Sequence, residues 1–303
     1  MRTHLHARRL LAAAIALAGT HVACQPAFED RPWLVSSARI VAVRADPAEA
    51  APGQAVTYEA IVVDARGRVT DAPLDWAACD APKPLAENGA VNAACARGDL
   101  PVLGEASPTL RAPLPGDACA LFGPDPPPGG YRPRDADGTG GYFVPIRVRG
   151  PGIDAAFALE RVTCALGNAS FDVARAFGER YRANVNPTAG ALVATVDGQP
   201  APPRIPRGAR VHLSVRWDEP ERYVAFDPAT QALVDRREAI RVAWLATGGA
   251  IALAHTGRDE GDPETSSDDD WTASDAGPAH LWAVVRDSRG GVDIASLDLE
   301  VAP

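Results

Sequence analysis

The strictest constraint on this chain is a two-residue alternation that recurs in short stretches. Val211, Leu213, Val215 and Trp217 alternate with His212, Ser214 and Arg216, and Ile240, Val242, Trp244 and Ala246 alternate with Arg241, Ala243 and Leu245. Earlier, Val56, Tyr58, Ala60 and Val62 alternate with Thr57, Glu59, Ile61 and Val63. Successive side chains of a strand point to opposite faces, so this pattern describes half-buried strands. Turn sequences separate them: Pro52-Gly53-Gln54, Asp64-Ala65-Arg66-Gly67, Gly150-Pro151-Gly152, Asp197-Gly198 and Ser288-Arg289-Gly290-Gly291. Short strands at such spacing predict an all-β protein of sandwich type. Without its leader the chain has about 280 residues, the length of two domains.

The N-terminus reads as a leader. Arg2, Arg8 and Arg9 precede an apolar run from Leu10 to Ala18, and no acid occurs before Glu29. A basic start and a run this short fit a secretory signal peptide over 1–23, since a spanning helix needs about 20 apolar residues. Gly19-Thr20-His21-Val22-Ala23-Cys24-Gln25 resembles the lipobox of bacterial lipoproteins. The resemblance implies diacylglycerol on the Cys24 thiol and cleavage just before it. His21 stands where that family usually has Leu, so ordinary cleavage near Ala23 is the alternative. Gln25, rather than Asp, favours the outer membrane. Residues 24–36 then form an anchor and tether, in which Pro26 and Pro32 oppose a helix.

Charge agrees with export. Residues 1–23 take three arginines and no acid off a net charge of −9, leaving about −12, which argues against nucleic acid as a partner. Cys79, Cys95, Cys119 and Cys164 remain beside Cys24, an even set that predicts two disulfides in an oxidising compartment. Three pairings are open, and closing the shorter loops first gives Cys79–Cys95 and Cys119–Cys164. Zinc is the rival reading, without a CxxC or HxxxH pair to support it.

The first domain is expected over 37–166. Within it, 80–140 is rich in Pro and Gly and short of periodic apolar residues, so it reads as a long insertion stapled by cysteines. Beyond it, Val144, Ile146 and Val148 form a strand, and Pro145 suggests an edge position. Residues 167–185 are a linker in which Asn168-Ala169-Ser170 would cap a helix bearing Phe171, Ala174, Phe177 and Tyr181, an irregular strand being the alternative. The second domain is expected over 186–303. Its last strand, Val292–Val301, changes phase between Ile294 and Leu297, which predicts a β-bulge near Ala295-Ser296.

Arg241-Val242-Ala243-Trp244 with Gly248-Gly249, and Ala276–Val292 with its Val285-Arg286-Asp287-Ser288-Arg289-Gly290-Gly291 hairpin, resemble bacterial immunoglobulin-like or PKD-type modules. The resemblance covers 186–303 well and 37–166 loosely, where Trp76 is the matching third-strand aromatic. It implies two immunoglobulin-like β-sandwiches in tandem. Val62–Gly67 echoes Val284–Gly290 as shared turn chemistry.

No catalytic residue is assigned. GxSxG, HExxH and P-loop motifs are absent, and His212, His255 and His280 lie on or beside predicted strands. No cofactor is assigned either. The densest acidic stretch offers Asp259, Asp262, Asp268 and Asp270 as weak calcium candidates, with a solvated loop as the ordinary reading. Asp135-Ala136-Asp137-Gly138 opens like a calcium loop without its distal ligands. Arg97-Gly98-Asp99 matches the adhesion tripeptide, a short motif common by chance. Trp33, outside both domains, is the aromatic expected to make an exposed contact. These readings lead to a non-enzymatic envelope lipoprotein, bound to the membrane through Cys24, that presents a binding or spacer surface to an envelope protein or glycan. The alternatives are an adhesin or ligand-binding protein using 80–140, and a metal- or carboxylate-dependent hydrolase.

Overall fold

In a computed structural model, residues 31–81, 91–124 and 138–303 are described. Cys24, the leader and Asp135–Asp137 lie outside them. The strands of the N-terminal half are β1 (Arg39–Asp46), β2 (Glu49–Ala50), β3 (Ala55–Asp64), β4 (Gly67–Val69), β5 (Asp75–Ala78), β6 (Val102–Gly104), β7 (Thr109–Pro113), β8 (Gly141–Gly150) and β9 (Ile153–Thr163). Those of the C-terminal half are β10 (Val193–Val196), β11 (Gln199–Pro200), β12 (Arg204–Ile205), β13 (Arg210–Arg216), β14 (Arg222–Asp227), β15 (Ala232–Arg237), β16 (Ile240–Ala246), β17 (Ala250–Ile251), β18 (His255–Arg258), β19 (Ser266–Thr272), β20 (Gly277–Asp287) and β21 (Val292–Val301). Helices α1 (Ala93–Arg97), α2 (Ala118–Leu121) and α3 (Phe171–Arg180) are short, and among the described residues none is long and apolar enough to cross a membrane.

The two halves share one plan. In the first, β3 pairs with β1 and β7, facing a sheet in the order β2-β9-β8-β5-β6. In the second, β13 pairs with β10 and β19, facing a sheet in the order β12-β21-β20-β16-β18. In each, a two-residue strand runs parallel to the last long strand, β2 to β9 and β12 to β21. This is the immunoglobulin-like sandwich, twice in tandem. Trp76 on β5 and Trp244 on β16 fill equivalent core positions, 0% and 1% exposed. Each is held by its indole N–H, Trp76 donating to the Ser107 carbonyl at 2.8 Å and Trp244 to Thr256 Oγ1 at 2.8 Å.

Two disulfides tie the insertion down. Cys79 follows β5 and joins Cys95 in α1, with Cα atoms 5.6 Å apart, and Cys119 in α2 joins Cys164 beyond β9 at 5.7 Å. Arg147 on the outer face of β8, buried, donates to the carbonyls of Cys95 at 3.0 Å and Gly98 at 2.8 Å, seating the end of α1. The stretch 80–140 is not one loop, because β6 and β7 within it complete both sheets of the first sandwich.

The sandwiches lie sheet against sheet. Ala42, Ile61 and Val63 of the first pack on Leu245, Trp282, Val284 and Val292 of the second, with Val35 between. The strands β16, β20 and β21 are therefore apolar on both faces: Val242, Trp244, Leu281, Ala283 and Val285 point into their own core, their neighbours into the interdomain layer.

That layer corrects the expected bulge. The ladder between β20 and β21 runs without a break from Gly277↔Val301 to Arg286↔Val292. The phase change arises because Val292 serves the interdomain layer and Ala295, Leu299 and Val301 serve the core. A register shift occurs instead in β1, between Ile40 and Ala42, and the Val41 carbonyl there accepts from Arg286 Nη2 at 2.7 Å. Pro145 is not on an edge strand, since β8 lies between β9 and β5. It sits where β5 ends, with its carbonyl accepting from Cys79 N at 3.2 Å, so its missing N–H breaks no ladder bond. Residues 171–180 are helical, with Ser170 Oγ accepting from Val173 N at 3.4 Å as N-cap. Phe177 is buried there, whereas Phe171 stays 83% exposed.

Candidate functional site at the junction of the sandwiches

The chain between the sandwiches is held by buried charge. Glu49 on β2, 4% exposed, accepts from Arg161 Nε at 3.0 Å, Thr163 Oγ1 at 2.9 Å, Asn184 N at 2.7 Å and the Tyr181 hydroxyl. The Asn184 side-chain amide donates to Asp287 at 3.3 Å. Asp287 also accepts the backbone N–H groups of Arg289 at 2.8 Å and Gly291 at 2.9 Å, which closes the β20–β21 turn. Arg289, 2% exposed, donates to Glu238 Oε1, Glu221 Oε2 and the Arg182 carbonyl, each at 2.8 Å. Its guanidinium lies over the Tyr223 ring, 4.7 Å from the centroid. Asn186 completes the seam, donating to the Ala45 carbonyl at 2.7 Å and accepting from Val292 N at 2.9 Å.

The hairpin β14–β15, inserted between β13 and β16, extends the junction. Phe226 N donates to the Gly138 carbonyl at 2.7 Å, and Arg180 of α3 pairs with Asp235. A side chain at Gly138 would strike the Phe226 carbonyl, so only glycine admits this approach.

Burial shifts the acids here upward. Glu238 is pushed to about 7 by burial and then by Asp287, against the pull of Arg289. Asp287 is raised by burial, opposed by the N–H groups of Gly291 and Arg289. Tyr181 rises to about 12 through burial and the Glu49 charge. Glu160 on β9, 1% exposed, is pushed to about 8 by burial and then by Glu49. Each of the junction acids Glu49, Glu238 and Asp287 is spent on fixed hydrogen bonds, so the arrangement locks a geometry.

The sequence-derived candidates fall elsewhere. Asp268 and Asp270 lie on strand β19 rather than in a loop, and Asp270 pairs with Arg210 at 2.5 Å and His212 at 3.4 Å. Asp262 lies 3.5 Å from Arg258 Nη1, and Asp259 accepts from Asp262 N through its carbonyl at 2.9 Å. Among the described residues no three His, Cys, Asp or Glu side chains converge as metal ligands. His212 and His280 are on opposite sheets, and His280 Nδ1 meets Asp298 at 2.7 Å. Arg97 and Asp99 are exposed at the end of α1. Trp33 does not make an exposed contact: it packs against the core of the second sandwich, and its carbonyl accepts from Ala246 N at 3.0 Å.

The junction residues carry little signal in the sequence, because a lone charge in a strand ordinarily marks a solvated face. One signal was present. Glu160 shares strand phase with Ala158 and Val162, both core residues, so the alternation itself marks it as buried.

Two immunoglobulin-like sandwiches fused through a polar seam define the class of this protein. No protein-family model matches the chain, and no curated protein matches it. Among solved structures it is similar to fibronectin(III)-like modules of Clostridium thermocellum CbhA at 11% identity and a TM-score of 0.27, covering 86% of this chain and 94% of that one. It is similar to the D00-D0 domain of intimin at 11% identity and a TM-score of 0.24, covering 88% and 99%. It is also similar to the Yersinia pseudotuberculosis adhesin InvE at 10% identity and a TM-score of 0.21, covering 85% and 58%. The immunoglobulin-like plan follows from strand order and pairing alone; similarities at these TM-scores add nothing to it.

Proposed function

We propose that this chain is a non-enzymatic lipoprotein of the bacterial envelope, anchored by lipid on Cys24, whose fused sandwiches present a rigid binding or spacer surface to an envelope protein or glycan. The observation that carries this reading is the seating of the first described residues. Leu34 bridges in parallel to Ala246, and Val35, fully buried, donates its N–H to the Ala246 carbonyl at 2.8 Å. Trp33 therefore belongs to the folded body; it stands nine residues after Cys24, and a tether of that length, if extended, spans about 30 Å at most. Such a tether would hold the pair of sandwiches close to a membrane. Two disulfides support an oxidising compartment, and Gln25 favours the outer membrane.

The test is fractionation of cells producing the wild-type chain and Cys24→Ser. The wild type is expected in the membrane fraction with a diacylglycerol-modified N-terminal Cys24 by mass spectrometry, and the variant in the soluble exported fraction. Cys24→Ser remaining in the membrane fraction would refute the anchor.

A further inference from the structure

We propose that the cleft between the end of α3 and the hairpin β14–β15 is a binding site for a phosphate monoester, with Arg182 and Arg222 as the groups that take its two negative charges. The cleft has a volume of ≈460 Å³, within the range of small-molecule sites. Three arginines line it: Arg180 from the end of α3, Arg182 from the linker and Arg222 from β14. Two acids, Glu179 and Asp235, line it as well.

These charges do not cancel. Asp235 is taken by Arg180, and Glu179 lies 3.7 Å from Arg175 on the exposed side of α3. Arg182 and Arg222 are both exposed, and among the described residues neither meets a carboxylate. Arg182 Nη1 donates to the carbonyl of the adjacent Tyr181 at 3.0 Å. Across the β14–β15 ladder Arg222 stands opposite Arg237, a like charge, whose guanidinium turns to the Asp262 carbonyl at 2.6 Å. In a chain with 39 acids against 30 lysines and arginines, two neighbouring arginines without a counter-charge are the exception. Their backbones are also fixed. The Arg182 carbonyl accepts from Arg289 Nη1 at 2.8 Å, and Arg289 Nη2 donates at 2.8 Å to Glu221, the residue before Arg222. Glu221 Oε2 accepts from Val185 N at 2.9 Å, which ties the linker to β14 a second time. One buried guanidinium thus sets the spacing of two exposed ones without using either of their side chains.

The chemistry of the ligand follows. A guanidinium presents paired N–H donors that match two oxygens of a phosphate, and it does so best from a preorganised position. Two uncommitted guanidinia balance a dianion. A phosphate monoester, with its second pKa near about 6, is mostly dianionic at neutral pH, whereas a diester carries one charge. A soluble ester and the head group of phosphatidate share this chemistry. The inference goes beyond the lipid anchor and does not depend on it, since Cys24 contributes nothing to the cleft.

The experiment is calorimetric titration of the purified Cys24→Ser chain, free of lipid, with methyl phosphate in low-salt buffer, and with dimethyl phosphate as the singly charged control. Saturable binding of one methyl phosphate is expected, with dimethyl phosphate weaker by about tenfold or more. Binding should tighten from about pH 5.5 to about pH 7.5, as the ester loses its second proton. Arg182→Ala and Arg222→Ala should each weaken it by about tenfold, while Arg175→Ala, outside the cleft, leaves it unchanged. Dihexanoyl phosphatidate separates the sources: binding at least as tight as that of methyl phosphate assigns the site to a lipid head group, and its exclusion assigns the site to soluble esters. Absence of saturable binding, equal binding of the monoester and the diester, full binding by Arg182→Ala or Arg222→Ala, or an equal loss in Arg175→Ala would overturn the proposal. The ester and pH comparisons use unaltered arginines, so a misfolded variant does not remove the test.

Discussion

Asn184 donates its backbone N–H to Glu49 Oε2 at 2.7 Å. Its side-chain amide reaches Asp287 at 3.3 Å, so one linker residue joins a carboxylate of the first sandwich to one of the second. A linker used this way is part of the core. Together with the Val63–Val284 layer it makes the two sandwiches one mechanical unit.

Arg289→Ala should be the most damaging single change at the seam. It strands Glu238, 3% exposed at its side chain, and Glu221 without their counter-charge. Removing one partner of a buried ion pair costs about 3–5 kcal/mol. Arg289→Lys should recover little, because one ammonium cannot reproduce the guanidinium fork. Urea denaturation gives the cost, and calorimetry should show one unfolding transition in the wild type becoming two in the alanine variant.

Val284→Asp should separate the sandwiches without unfolding them. Val284 is fully buried, but its side chain serves the interdomain layer and not the core of the second sandwich. An unpaired carboxylate there is expelled to water. Small-angle scattering should report a larger radius of gyration, and limited proteolysis new cleavage between 181 and 192, while far-UV dichroism stays that of the wild type.

Stability should fall as pH rises from about 4.5 to about 8. Glu160 is raised from 4.5 to about 8 in the folded state, so in that window the folded chain holds a proton that the unfolded chain has released. Glu238, raised to about 7, acts in the same direction. The slope of unfolding free energy with pH is then negative. Glu160→Gln should flatten it and leave the variant more stable than the wild type above pH 8, on the order of a few kcal/mol. Thermal melts of both chains across this range measure the difference.

Opening the Cys119–Cys164 bridge with Cys119→Ser and Cys164→Ser should cost about 2–4 kcal/mol. It closes a longer loop than Cys79–Cys95, separations of 45 against 16 residues, and so should cost the more of the two. Peptide mapping without reduction should return these two pairs, and chemical denaturation their ranking.

Much of this was legible in the residues. The alternation at Val211–Trp217 and Ile240–Ala246 placed β13 and β16, and Trp76 and Trp244 were marked as matching third-strand aromatics. What misled was apolar character on the wrong face. Ile61, Val63 and Ile294 look like flaws in a half-buried strand, and Ile294 produced the expected bulge. Their reason is a second sandwich on the outer face, a long-range contact that strand periodicity does not encode. Trp33 reads as a stray aromatic until Ala246, more than two hundred residues away, supplies its partner.

The sharpest division lies in one turn written twice. Asp64-Ala65-Arg66-Gly67 and Asp287-Ser288-Arg289-Gly290 share the same local chemistry. In each, the aspartate accepts the arginine N–H, at 2.7 and 2.8 Å, and the glycine takes a positive φ, 117° and 111°. The sequence by itself determined those turns, the strands they join and the cysteines that staple them, because these depend on neighbours a few residues away. It did not determine that the Arg66 side chain would stand 89% exposed, folded back on Asp64, while that of Arg289, 2% exposed, would clamp two carboxylates and a linker. That was decided by the linker and the β14–β15 hairpin, which cover Arg289 with Arg182, Glu221, Tyr223 and Glu238 and leave Arg66 in water, since only removal from water makes a guanidinium seek every acceptor within reach.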